Sequence, residues 1–141
     1  MLNDKYTFYK LNYFKYIILI KSGNFYITLD NDALIVSNIF NYKIKDSSSV
    51  IRTGFPLDSL NKVVSKLEDL SINYLVIDSD IVSEQSFDSN QYDTYLMNIQ
   101  DYKIVISRIT KINNTLKSNM LNCNIKNVIN DIEKILCKID C

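Results

Sequence analysis

The sequence predicts an α+β fold: a small mixed β-sheet flanked by helices, followed by a C-terminal antiparallel helical hairpin. Three observations lead there. Residues 16–20 (YIILI) and 25–29 (FYITL) are β-branched and aromatic runs joined through Ser22-Gly23-Asn24, the make-up of two strands across a tight turn. Apolar residues elsewhere in the first half recur at three- and four-residue spacing, the helical period. After Ser79 the chain turns polar, and beyond residue 91 the spacing becomes a heptad seam.

The elements follow in order. Over residues 4 to about 14, Tyr6, Tyr9, Tyr13 and Phe14 keep a helical stripe, and Asp4 serves the N-terminal end. The two strands come next. Strands show side chains to alternate faces, so Phe25, Ile27 and Leu29 share one face, with Tyr26 and Thr28 on the other. Asp30-Asn31-Asp32 places carboxylates at the positive end of a helix that runs through Ala33, Leu34, Val36 and Ile39 to about residue 40. Tyr42-Lys43-Ile44-Lys45 alternates as a short strand. Asp46-Ser47-Ser48-Ser49 reads as a solvated loop, and Val50-Ile51-Arg52-Thr53 as another strand, ended by Gly54-Phe55-Pro56. Residues 57–70 form an amphipathic helix with Leu60, Val63, Val64, Leu67 and Leu70 on one face and Asp58 or Ser59 as its cap. Residues 73–78 (NYLVID) read as a buried strand.

Residues 1–80 are therefore expected as one α/β domain, 81–91 as a linker and 92–141 as the hairpin. In the hairpin, a seam from Tyr95 through Ile99, Tyr102, Ile106, Ile109, Asn113 and Leu116 to Met120 marks one long helix. After a polar stretch around 119–124, Ile125, Val128, Ile129, Ile132, Ile135, Leu136 and Ile139 mark a second. Two such helices across a short link make an antiparallel pair, expected to pack on the α/β body or on a second copy.

Composition narrows the function. The chain has 141 residues, 47% of them hydrophobic, enough for one domain with a real core. Formal net charge is zero. Nucleic-acid binders that work alone usually carry a basic excess, because phosphate neutralisation supplies much of their affinity. Any contact with double-stranded DNA is thus expected to be weak, or shared with a partner. No apolar run reaches the roughly 18 residues a membrane span needs, and the N-terminal MLNDKYTFYK lacks a signal-peptide pattern. No membrane partner and a cytoplasmic location are expected.

Most catalytic and ligand-binding chemistry finds no support. Histidine is absent, which removes the commonest general base near neutral pH. Cys123, Cys137 and Cys141 form no C-x-x-C pair and cannot complete a zinc site, so neither metal nor cofactor is expected. Two distant glycines make no phosphate-cradling loop. Asp30 with Asp32, or Asp78 with Asp80, has the chemistry to hold a divalent cation, but a solvated helix cap and a strand end are the preferred readings. Ser47-Ser48-Ser49 has no base partner. Without a catalytic constellation, an enzyme is not expected. The ten tyrosines fit strand and helix packing; aromatic platforms for single-stranded nucleic acid normally come with more basic neighbours.

The order of short motifs is more specific. Gly23-Asn24-Phe25-Tyr26-Ile27-Thr28-Leu29, Asp30-Asn31-Asp32-Ala33 opening a helix, and Gly54-Phe55-Pro56-Leu57-Asp58-Ser59-Leu60 opening the next follow one another at set distances. Over about residues 5–78 this resembles domain I, the mismatch-recognition domain, of the DNA mismatch repair protein MutS. Family members carry G-D-F-Y-E-L-F, a D-D/E-A helix and a G-[IV]-P-Y-H segment in that order. The likeness is not expected past about residue 80. The resemblance implies a module for DNA binding or mismatch repair without ATPase, with Phe25 as a minor-groove wedge.

In the family the glutamate two residues after the wedge hydrogen-bonds the mispaired base. That position is Ile27 here, which offers no hydrogen bond, and Asn24 replaces the usual aspartate. The expected DNA-binding residues are Phe25, Ile27, Asn24, Lys21 and Arg52, with Lys43 and Lys45 as further phosphate contacts. The alternative is a non-catalytic protein–protein interaction module that has lost mismatch recognition. Its partner would be another protein or a second copy held through the C-terminal helices.

Overall fold

The computed structural model describes residues 2–47 and 50–140. The expected positions Ser48, Ser49 and Cys141 lie outside them. Two units divide after Gln100. The first opens with α1 (Leu2–Asn12), then β1 (Ile17–Ser22), β2 (Phe25–Leu29) and α2 (Asp30–Phe40). It continues through β3 (Lys45–Ser47), β4 (Val50–Pro56), a 3₁₀ turn at Leu57–Ser59, α3 (Leu60–Asp69), β5 (Tyr74–Ile77), β6 (Ile81–Gln85) and α4 (Tyr92–Asn98).

Ile17, Ile18, Leu19 and Ile20 are all buried. Four successive buried residues in a strand require cover on both faces of the sheet. They form an inner strand of a six-stranded sheet of order β3-β4-β2-β1-β5-β6. The sheet is mixed: β1 runs parallel to β5, and the other neighbours are antiparallel. On one face, Tyr6 of α1 packs with Ile18, Ile20, Leu29, Leu75 and Ile77. On the other, Tyr26 stacks on Phe55 and Phe55 on Tyr42, which stacks in turn on Phe40 at the end of α2. Val63 and Leu67 of α3 are also fully buried, each worth about 1.5–3 kcal/mol relative to exposure.

Several boundaries differ from the sequence-based expectation. Residues 42–44 are not a strand; β3 begins at Lys45 and takes in Asp46 and Ser47. β4 does not stop at Thr53 but continues through Gly54 and Phe55 to Pro56, because both residues stay paired with β2. Ser59 caps α3 by position without a side-chain hydrogen bond. The polar stretch expected as a linker contains β6, an exposed edge strand hydrogen-bonded to β5. Backbone pairing to β5 holds an exposed edge strand without apolar alternation.

The expected single helix over the heptad seam is broken at Ile99. α4 ends at Asn98, and Ile99 and Tyr92 are buried within the first unit. The second unit holds the C-terminal helix pair, α5 (Gln100–Ser118) and α6 (Ile125–Asp140). Their link is closed by hydrogen bonds from Asn122 N–H to the Asn119 carbonyl and from Ile125 N–H to the Asn122 carbonyl. No helix among the described residues is long and apolar enough to cross a membrane.

Candidate nucleic-acid interface

The β1–β2 turn positions the site. Gly23 has φ of +61° and Asn24 does not share that region, the pattern of a two-residue hairpin turn with glycine first. Register follows directly: Ser22 lies opposite Phe25, Lys21 opposite Tyr26 and Ile20 opposite Ile27. The turn is tied to the end of β4, since Leu57 N–H donates to the Asn24 carbonyl at 3.2 Å. Thus the Gly23-Asn24-Phe25 and Gly54-Phe55-Pro56-Leu57 segments, distant in sequence, form one corner of the sheet.

Pairing between β2 and β4 then sets one row of side chains. Phe25 lies opposite Pro56, Ile27 opposite Gly54 and Leu29 opposite Arg52, and Lys45 of β3 lies opposite Arg52 in turn. Burial along β2 falls toward the turn. Leu29 sits in the core under Tyr6, Ile27 packs at its margin, and Phe25 lies beyond it, 49% exposed. Beside them is a depression of about 270 Å³ lined by Phe25, Ile27, Tyr42 and Gly54 together with Lys43, Lys45, Arg52 and Thr53. Gly54 belongs there for a steric reason: a Cβ would meet the Tyr26 carbonyl oxygen at 2.9 Å and Ile27 at 3.4 Å. The ion pairs formed by lysines among the described residues involve Lys10, Lys15 and Lys21, not Lys43 or Lys45, and Arg52 forms none.

The expected site residues separate into two groups. Phe25, Ile27 and Arg52 meet at the depression, joined by Lys43 and Lys45. Asn24 is exposed in the adjoining turn. Lys21 does not join them. Its Cα partner is Tyr26, on the opposite face from Phe25, and its ammonium pairs with Asp78 at 3.3 Å. Tyr42 and Gly54 were not among the expected residues. Gly54 is readable as the end of a strand and as the start of the motif opening the next helix, and Tyr42 reaches the site from the irregular segment before β3.

A second polar centre is structural. Asp32, expected as a solvated cap, is fully buried. It accepts from Tyr6 Oη at 2.8 Å, Tyr92 Oη at 2.6 Å, Ile18 N–H at 3.1 Å and Lys10 Nζ at 2.8 Å. Its lone pairs are taken by fixed donors from α1, β1 and α4. Asp78 and Asp80 form a tight strand end, with Asp78 N–H donating to the Asp80 carbonyl. The described residues contain no cluster of three or more metal-ligating side chains.

A mixed sheet with helices on its faces, presenting one strand's aromatic and a cationic row at an open corner, defines a recognition-type domain. The family model of MutS domain I matches residues 2–130, most of the chain, and the chain belongs to that family. The match runs well past residue 80, where the likeness was expected to stop, and takes in β6, α4, α5 and the start of α6. No curated protein matches the chain.

Proposed function

We propose that this MutS domain I-like module binds double-stranded DNA through the corner around Phe25, with that ring as a minor-groove wedge. The observation that carries the reading is the coincidence at one corner of a half-exposed Phe25 and the cations Lys43, Lys45 and Arg52. An aromatic wedge unstacks a base step and kinks the duplex, and backbone cations hold the phosphates beside it. Ile27 contributes shape rather than a hydrogen bond, so the module does not use the family's acidic contact to read a mispaired base.

The test is titration of matched and mismatched duplexes at low salt, with Phe25→Ala in parallel. Binding through three phosphate contacts gives a log–log salt slope of about −2.7. Phe25→Ala weakens binding at every salt concentration. A protein that binds neither duplex, or binds both unchanged after Phe25→Ala, contradicts the wedge.

A second reading is favoured by the second unit. Ile135, Leu136 and Ile139 of α6 and Ile109 and Ile112 of α5 are exposed, and an apolar stripe of this kind is normally covered. We infer a protein contact there, most simply a second copy. A molecular mass in solution of one chain at all concentrations sinks that arrangement without touching the DNA reading.

A further inference from the structure

The zero net charge of the chain joins two unlike parts. Residues 1–100 hold nine Lys and Arg against twelve Asp and Glu, whereas residues 101–141, the second unit, hold seven against four. From Tyr102 to Asn130 there are five cations and no acid. Neither the corner around Phe25 nor a protein contact through the apolar stripe uses this run. We propose that the polar face of α5 is a second nucleic-acid surface, which holds the phosphate backbone of duplex DNA without reading its sequence. The inference goes beyond the corner reading and stands on different residues.

Periodicity sorts α5 into two faces. Tyr102, Val105, Ile106, Ile109, Ile112 and Leu116 recur at three- and four-residue spacing. Lys103, Ser107, Thr110, Lys111, Asn114 and Ser118 recur in the same way on the other side, and from Ser107 onward they line one shallow surface. Arg108 and Lys117 flank that row. All four α5 cations are exposed. From Lys103 to Lys117 they span about 21 Å of helix axis. Phosphates lie about 3.4 Å apart along each DNA strand, so a helix laid on the backbone meets several.

The residues between the cations are short. The Thr110 and Ser118 hydroxyls donate to the Ile106 and Asn114 carbonyls of their own helix, at 3.0 and 2.8 Å, so those protons are already used. Their part is steric, since no long or acidic side chain stands between the cations and an approaching phosphate. Point charges on an open face hold a backbone and leave base edges unread. A lipid surface fits less well. A helix lying on a membrane buries its apolar stripe among the acyl chains. Lys103 and Lys111, opposite that stripe, then face away from the headgroups.

The experiment is fluorescence anisotropy of the full chain on a labelled matched duplex across a salt series. Neutralising the face with Lys103→Gln, Arg108→Gln, Lys111→Gln and Lys117→Gln together is expected to flatten the log–log salt slope by about 3.6, roughly 0.9 for each of four phosphates. Exposed glutamine is a good helix former, and Lys103→Arg, Lys111→Arg and Lys117→Arg together keep the parent slope. An unchanged slope in the neutralised variant overturns the α5 surface, and loss of binding in Phe25→Ala alone then leaves the corner standing. Binding that survives Phe25→Ala and collapses in the neutralised variant supports α5 and sinks the corner. An equal loss per charge from Lys134→Gln with Lys138→Gln on α6 overturns the proposal, because net charge and not the face is then responsible. Sedimentation with phosphatidylserine vesicles without binding to duplex overturns it as well, and a parent that binds no duplex overturns both readings.

Discussion

The Tyr92 hydroxyl donates to Asp32 Oδ1 at 2.6 Å, joining the first turn of α4 to the first turn of α2 across sixty residues of chain. The same carboxylate holds Tyr6 and Lys10 of α1 and the Ile18 amide of β1. One buried acid thereby fixes the position of two helices against the central strand. Asp32→Ala leaves two buried hydroxyls without their acceptor and the half-buried Lys10 ammonium without its counter-charge, left on the Tyr16 carbonyl. Removing one partner of such a group costs about 3–5 kcal/mol, a large part of the stability of a domain this size. Asp32→Asn keeps the shape and one acceptor oxygen and should cost less. Urea unfolding of the two variants beside the parent checks the order.

The same cluster sets a response to alkali. Burial, then the Asp32 charge, raises the Tyr6 and Tyr92 hydroxyls far above the ordinary phenol range, and burial with the Glu68 contact pushes Tyr74 up to about 12. A raised pKa means the folded state keeps its proton where the unfolded chain loses it. Stability from these groups is full below pH 10 and falls above it, by about 1.4 kcal/mol per pH unit for each of Tyr6 and Tyr92. Lys10 runs the other way. Burial lowers its pKa against the opposing Asp32 charge, so its contribution rises with pH toward 10.5 and is flat beyond. The expected outcome is a loss of stability setting in above pH 10, with part of the phenolate absorbance appearing only as the protein unfolds. Absorbance and circular dichroism titrations that separate cleanly, with every tyrosine ionising in the folded protein, contradict this.

Gly54 provides a sharper steric test. Its missing Cβ would sit 2.9 Å from a backbone oxygen of the neighbouring strand, which cannot rotate away as a side chain can. Gly54→Ala must push β4 from β2, at a cost of about 1–3 kcal/mol as overpacking. Gly23→Ala has open space around it, yet it forces a positive φ on an L-residue. That costs about 1–2 kcal/mol, through the backbone alone. Thermal melts of the two variants should both fall, and amide exchange should loosen across β2–β4 in the first and at the β1–β2 turn in the second.

The legible and illegible parts of this chain divide by range of interaction. Alternation over residues 25–29 sufficed to put Phe25 and Ile27 on one face, because a strand's period is local. The exposure of Phe25 was not legible; it depends on how far α1 covers the sheet. Asp32 was misread as solvated because its donors lie at residues 6, 10, 18 and 92, and no window of sequence contains them. Lys21, expected beside Phe25 as a DNA contact, is sent by the turn register to the other face. β6 escaped notice because an edge strand of Ser83, Glu84 and Gln85 is held by backbone pairing, and polar edges are ordinary.

Ile27→Glu asks what the replaced position does. A carboxylate there stands two residues from Phe25 on the same face, the spacing that the MutS resemblance associates with reading a mispaired base. It also enters a depression shared with Lys43, Lys45 and Arg52. Two effects then compete. The new acid gains a hydrogen bond to a mispaired base, worth about 0.5–1.5 kcal/mol net, and it neutralises part of the cationic row that holds phosphate. The expected result is weaker binding to matched duplex, a shallower salt dependence by about one phosphate contact, and a relative gain for mismatched over matched duplex of about threefold to tenfold. Ile27→Gln separates the two terms, since it supplies the hydrogen bond without the charge and should keep the parent salt slope. If both variants bind matched and mismatched duplexes in the parent's ratio, residue 27 does not face the base step, and the wedge geometry around Phe25 is wrong.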